Sequence, residues 1–158
     1  MVDIVDKKTR SRMMSGIKGK NTRGEMLLRS ELHKMGYRYR LHWGELPGRP
    51  DLVLPKYNAV IFVNGCFWHG HDCHLFKWPK TNSRFWRKKI KGNQQRDKKN
   101  IDQITSMGWR CCIVWECCFR GKARLPKEKS CYLIDNWILS SETFLELYGG
   151  DLEFEKRK

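Results

Sequence analysis

A chain of 158 residues with 32 Lys and Arg against 17 Asp and Glu carries a formal charge of +15 at neutral pH, which points to a polyanionic partner, nucleic acid ahead of a membrane surface. The length suits one domain with a single core, and neither an apolar membrane-spanning run nor a secretory signal is read in it. Seven cysteines, an odd number, then favour free thiols and metal ligation over a disulfide framework, and a cytoplasmic setting.

Residues 1–20 are basic and weakly periodic, and they read as an arm that carries Met14. Thr22-Arg-Gly-Glu25 is a capping-box pattern that opens a helix through Met35, with Gly36 as its stop. Leu28, Leu32 and Met35 mark the buried face at helical spacing. Glu25 shares that face, either as a capping carboxylate or as one aimed over the edge of the core into a site. The loosely alternating segment from Tyr37 to Leu46 ends at Pro47-Gly48-Arg49-Pro50. Asp51–Leu54 and Asn58–Val63 then read as two strands of a hairpin joined by Pro55-Lys-Tyr-Asn. The second strand is apolar on both faces, which makes it central. Asp51, directly after a proline, is either a turn aspartate or a strand-end functional group.

The run from Val60 to Phe76, VIFVNGCFWHGHDCHLF, holds five candidate zinc ligands: Cys66, His69, His71, Cys73 and His74. Cys66-x4-His71-x-Cys73 is a tight thiolate and imidazole unit of the kind that closes a structural site. Its fourth ligand is open among His69, His74 and a remote thiol such as Cys117. A loop clipped in this way can hold Phe67 and Trp68 out toward solvent.

Residues 77–100 carry ten Lys or Arg against one acid, Asp97, with Trp78, Phe85 and Trp86 interleaved, as on a DNA surface. Asn82-Ser83 caps a predicted helix to about Gly92, which presents Trp86, Lys89 and Asn93 on one face. A second helix is predicted from Gln94 to Met107, then a strand from Trp109 to Trp115 in which Cys111 and Cys112 are apolar filling. Trp78 and Trp109 read as core residues. A turn at Glu116-Cys117-Cys118 leads to a last helix near 127–139. The expected layout is an α/β sandwich around a small mixed sheet, with a basic arm at 1–20, the main domain at 21–140 and an acidic tail at 141–158.

Phosphodiester hydrolysis calls for carboxylates at strand ends beside a basic groove. Asp51, followed twelve residues later by the end of an apolar strand, matches the hairpin of the restriction-endonuclease-like superfamily. The Glu-x-Lys usual at that second strand end is replaced here by Val63-Asn64-Gly65. The strings LPGRPD (46–51), VIF–GCFWH (60–69), H-D-C (71–73), FW–KI (85–90) and IVWEC (113–117) closely resemble a narrower group, the very short patch repair endonucleases. The resemblance runs in register from about Arg10 to about Gly121.

The resemblance implies a restriction-endonuclease-like three-layer sandwich, its small central mixed sheet flanked by helices, with one structural Zn²⁺. It implies Asp51 as a carboxylate shared by two Mg²⁺ and Val63 as the donor of a main-chain carbonyl. His69 would be the general acid/base, and Glu25 a metal partner acting through water. Zinc would fall to Cys66, His71, Cys73 and Cys117. Phe67, Trp68 and Trp86 would form a wedge entering the major groove beside a T·G mismatch, with Met14 probing the opposite groove and Lys89 and Asn93 reaching the mismatch edge. The family pattern often has Thr-His where this chain has Val63-Asn64; a carbonyl role survives that change, whereas asparagine cannot exchange protons near neutrality. The implied function is Mg²⁺-dependent nicking of the thymine strand 5′ of a T·G mismatch, which initiates very short patch repair. The implied protein is a monomer at the bacterial nucleoid, with mismatch-repair proteins as further partners. The alternatives are a restriction-type endonuclease on fully paired DNA and a non-catalytic zinc-containing DNA-binding module.

Overall fold

The computed structural model describes residues 6–9 and 22–150, so Met14 and most of the basic arm lie outside the described residues. Strands β1 (Arg40–Leu41), β2 (Leu52–Leu54), β3 (Ala59–Asn64), β4 (Arg110–Trp115) and β5 (Phe144–Leu147) form one sheet in that order. β1, β2 and β3 are antiparallel neighbours; β3, β4 and β5 run parallel. Among the described residues, helices α1 (Arg23–Lys34), α2 (Ser83–Ser106) and α3 (Lys127–Leu139) accompany the sheet.

Alternation along the strands divides the core into two layers. Leu52, Leu54, Ala59, Ile61, Cys112 and Val114 pack against Leu28 and Leu32 of α1 and Ile134, Trp137 and Ile138 of α3. Val53, Val60, Cys111, Ile113 and Trp115 face the other way, onto Ile104 of α2. β3 is apolar on both sides because both sides are covered. Cys111 and Cys112 are buried filling, and burial pushes the Cys111 thiol up to about 12.

Thr22 caps α1, its hydroxyl accepting from the Glu25 N–H at 3.3 Å, and Gly36 takes the left-handed φ of 97° that lets the chain turn away. Met35, expected on the buried face, is the C-cap residue and is exposed. The β2–β3 hairpin closes through a 3₁₀ turn at Pro55–Tyr57 and a left-handed Asn58, with Leu52 opposite Ile61. That register brings Asp51 beside the end of β3.

Three further expectations are corrected. The two helices expected between Asn82 and Met107 are one, because Gly92 sits on an open face and costs only about 1 kcal/mol there. Burial of Ile90, Asn93 and Ile104 along the same helix outweighs that cost. The segment read as an acidic tail supplies β5, whose pairing with β4 buries Leu147. Trp78, expected in the core, is 39% exposed; it packs on Phe76 at 4.9 Å and under the Arg87 guanidinium at 4.5 Å. Trp109 is partly buried, packed against the α2-side core layer and edge-on to Trp43 at 6.3 Å.

Candidate active site and structural metal centre

A cleft of about 710 Å³ opens beside the start of β2 and the end of β3, lined by Asp51, Val63, Asn64, His69 and Asp97. Asp51 Oδ2 accepts the Val63 N–H at 2.7 Å, so the hairpin's own register holds the carboxylate. Burial pushes the Asp51 carboxyl up to about 7; the Val63 N–H opposes the shift and the neighbouring Glu25 adds to it. Glu25, only 1% exposed, reaches the same place from α1, paired with Arg29 and with His42 Nε2 at 2.8 Å. Donor atoms of Glu25, His42 and Asp51 lie within 4.8 Å of one another. A half-buried carboxylate that holds its proton to near neutrality, in such a cluster, suits a divalent cation that would displace the proton.

His69 Nδ1 pairs with the Asp97 carboxylate, which reaches across from α2. This fixes the ring's orientation and leaves Nε2 as the nitrogen free to exchange a proton in the cleft that His69 lines. The pair lines the same cleft as Asp51, an arrangement able to deliver or remove a proton at a group held by the carboxylates.

Behind His69, donor atoms of Cys66, His71, Cys73 and Cys117 converge within 4.8 Å, a set whose types fit tetrahedral zinc. His71 Nδ1 lies 3.5 Å from Cys66 Sγ and 3.7 Å from Cys117 Sγ. The Cys66 thiol, His71 and the Gly149 N–H bond to Cys117 and bring its pKa down to about 4, the thiolate that metal binding requires. Cys66 is held in the thiol form by its bond to Cys117 and by burial. His69 and His74, the other candidates for the fourth ligand, stand outside this cluster.

Phe67 and Trp68 project from the same loop and meet Trp86 of α2, with ring centroids at 5.3 Å and 5.7 Å respectively. Phe76 and Phe85 extend the patch. Asn93, also on α2, is 7% exposed; its amide donates to the Trp68 carbonyl at 2.8 Å and accepts from Arg96 at 2.6 Å. It therefore braces the aromatic loop, while Lys89 on the same helix is exposed. All three aromatics expected in the wedge come together.

The model of the DNA mismatch endonuclease Vsr family matches residues 2–75. The DNA mismatch endonuclease Vsr of Escherichia coli is 44% identical over 138 residues, covering 87% of this chain and 88% of that protein. The chain belongs to the Vsr family of DNA mismatch endonucleases. The type II nicking enzyme V.XorIIP of Xanthomonas oryzae is 44% identical over 74% of this chain and 86% of its own length. V.NmeAIP of Neisseria meningitidis is 42% identical, over 78% and 88%.

The match to the Vsr family model takes in Glu25, Asp51, Val63 and His69 and ends before Asp97 and Cys117, which join the site only through folding. Sequence reasoning missed Asp97 as a partner of His69. The signal was there: Asp97 is the lone acid in the basic run and follows Asn93 by four on the Trp86 face. His42 and Arg29 carried no such signal. Nor did Glu146 in β5 and Gly149 just beyond it, which brace the Cys/His cluster: Glu146 accepts the Trp115 indole N–H at 2.7 Å, Trp115 stacks on His71 at 4.2 Å, and the Gly149 N–H donates to Cys117 Sγ.

Proposed function

We propose that this chain is a Mg²⁺-dependent endonuclease of restriction-endonuclease-like fold that nicks the thymine strand 5′ of a T·G mismatch, initiating very short patch repair. One observation carries the reading: Asp51 and the His69–Asp97 pair line one cleft, and the loop that carries His69 also carries the aromatic patch. The family membership and the basic surface of residues 77–100 support it.

Two Mg²⁺ at Asp51 and the Val63 carbonyl would supply a Lewis acid for the scissile phosphate and an ionised attacking water. Asp51 and Glu25 orient that centre; the Val63 N–H and Arg29 hold them in place. His69, its Nδ1 bound to Asp97, uses Nε2 to pass a proton at the leaving or attacking oxygen. Asn64 lines the cleft and can hydrogen-bond substrate but cannot relay that proton. Cys66, His71, Cys73 and Cys117 would hold Zn²⁺ and so brace the loop that carries His69.

Phe67, Trp68 and Trp86 enter the base stack beside the mismatch, with Lys89 at the groove edge and Met14 of the arm on the opposite side. Unstacking costs a few kcal/mol and least where pairing is already imperfect, which is a physical source of T·G preference. The protein acts as a monomer on duplex DNA at the nucleoid, with mismatch-repair proteins as further partners. Among the described residues no helix is long and apolar enough to cross a membrane.

A nicking assay on matched duplexes tests this. Mg²⁺-dependent cleavage 5′ of the thymine in T·G, with little of the T·A duplex, is the expected result. Equal cleavage of paired DNA would make it a restriction-type nuclease, and binding without product a zinc-containing recognition module.

A further inference from the structure

Beside the carboxylate that opens the hairpin stands an imidazole with no part in the mechanism above. His42 follows β1 in the left-handed region, at φ 46°, and its main-chain N–H bonds to the Asp51 carbonyl at 3.3 Å. A β1 terminus held in that way turns the ring inward, with Nε2 2.8 Å from Glu25 Oε2 and 3.6 Å from Asp51 Oδ1. Ligands about 2.1 Å from one ion stand roughly 3 Å apart in cis positions and about 4.2 Å in trans. The three donor atoms, all within 4.8 Å of one another, therefore span a single coordination sphere with little movement.

Asp51 can serve this sphere and the Val63 side together. Its Oδ2 accepts the Val63 N–H, whereas Oδ1 is the oxygen turned toward His42. Arg29 anchors Glu25 and comes within 3.4 Å of His42 Nε2, so it orients both groups and offsets one unit of carboxylate charge. The donors that remain are mixed nitrogen and oxygen. Carboxylate, carbonyl and water suit Mg²⁺, whereas an imidazole moves the preference toward first-row transition ions.

The geometry points to a second metal site, Glu25–His42–Asp51, which shares Asp51 with the oxygen-only Val63 site and takes Mn²⁺ or a similar ion in preference to Mg²⁺. It rests on the proposed reading of Asp51 as a metal-binding carboxylate. Of the two ions proposed to share Asp51, one would then be held by oxygen alone and the other by the His42 nitrogen as well, so the second position accepts Mg²⁺ but prefers Mn²⁺.

The test is Mn²⁺ binding to the zinc-loaded full chain, followed by electron paramagnetic resonance with Mg²⁺ competition. The expected result is an Mn²⁺ site at least tenfold tighter than for Mg²⁺, with pulsed spectra showing a directly coordinated nitrogen. His42→Gln should lose both the nitrogen coupling and the tenfold preference while keeping its zinc. Bound Mn²⁺ without nitrogen coupling in the unmodified protein overturns the inference, and that outcome is independent of how the variant folds. Mg²⁺-dependent nicking alongside that result would leave the proposed function standing. Retention of the nitrogen-coupled site in Asp51→Ala would also overturn the inference, because the shared carboxylate would be absent. Failure of the unmodified protein to bind any divalent ion at this cleft would remove both readings.

Discussion

The Val63 N–H donates to Asp51 Oδ2 across 2.7 Å, so the last turn of one strand holds the acid that begins its hairpin partner. The bond ties the carboxylate to the same residue whose carbonyl is proposed to bind metal.

Asp51→Asn keeps an acceptor for that N–H but removes the charge. Nicking is expected to fall by roughly 10³-fold or more, with T·G binding changed little. The Asp51 carboxyl rises from the usual 3.8 to about 7. Between these values the folded metal-free protein binds more protons than the unfolded chain, so its stability falls as pH rises through that window. Urea denaturation of Mg²⁺-free, zinc-loaded protein should show that slope. Asp51→Asn should lack it and gain on the order of 1–3 kcal/mol at neutral pH.

Asp97→Asn leaves His69 without its anionic partner. Single-turnover nicking is expected to drop about 10²-fold, and His69→Ala by up to about 10⁴-fold. Both variants should retain stoichiometric zinc, because neither residue lies in the Cys66–His71–Cys73–Cys117 cluster. Zinc loss from His69→Ala would reassign the fourth ligand.

Trp68→Ala removes a ring that packs on both Phe67 and Trp86, and should lower the ratio of T·G to T·A affinity about tenfold. Asn93→Ala takes away the donor to the Trp68 carbonyl and should produce a smaller loss of the same kind. Competition binding with the two duplexes measures both. An unchanged ratio in Trp68→Ala would remove the wedge.

Gly149 donates its N–H to Cys117 Sγ at 3.1 Å, and a Cβ there would run into the Cys117 and Ala123 carbonyls. Gly149→Ala should therefore release zinc to a chelator about tenfold faster than the unmodified protein. Truncating Glu146 to Ala should give a weaker effect through Trp115 and His71. Absorbance of a zinc-chelator complex over time gives both rates.

Periodicity and chain punctuation alone defined α1 with its Thr22 cap, the β2–β3 hairpin, β4 and α3, because each depends on neighbours along the chain. The metal-ligand run was legible for the same reason: three of the four clustered thiol and imidazole groups fall within eight residues, from Cys66 to Cys73. What local pattern could not reveal were contacts made across the fold. β5 looked like a charged tail because its stability comes from pairing with β4, thirty-odd residues earlier. Asp97 reaches His69 from a helix, His42 reaches Glu25 and Asp51 from a two-residue strand, and Gly149 reaches Cys117 from beyond β5. Residue types and spacings set which chemistry was available. Only closure of the sheet between its helices decided which groups share a cleft, since burial and opposed charges become decisive once distant segments are brought within a few ångströms.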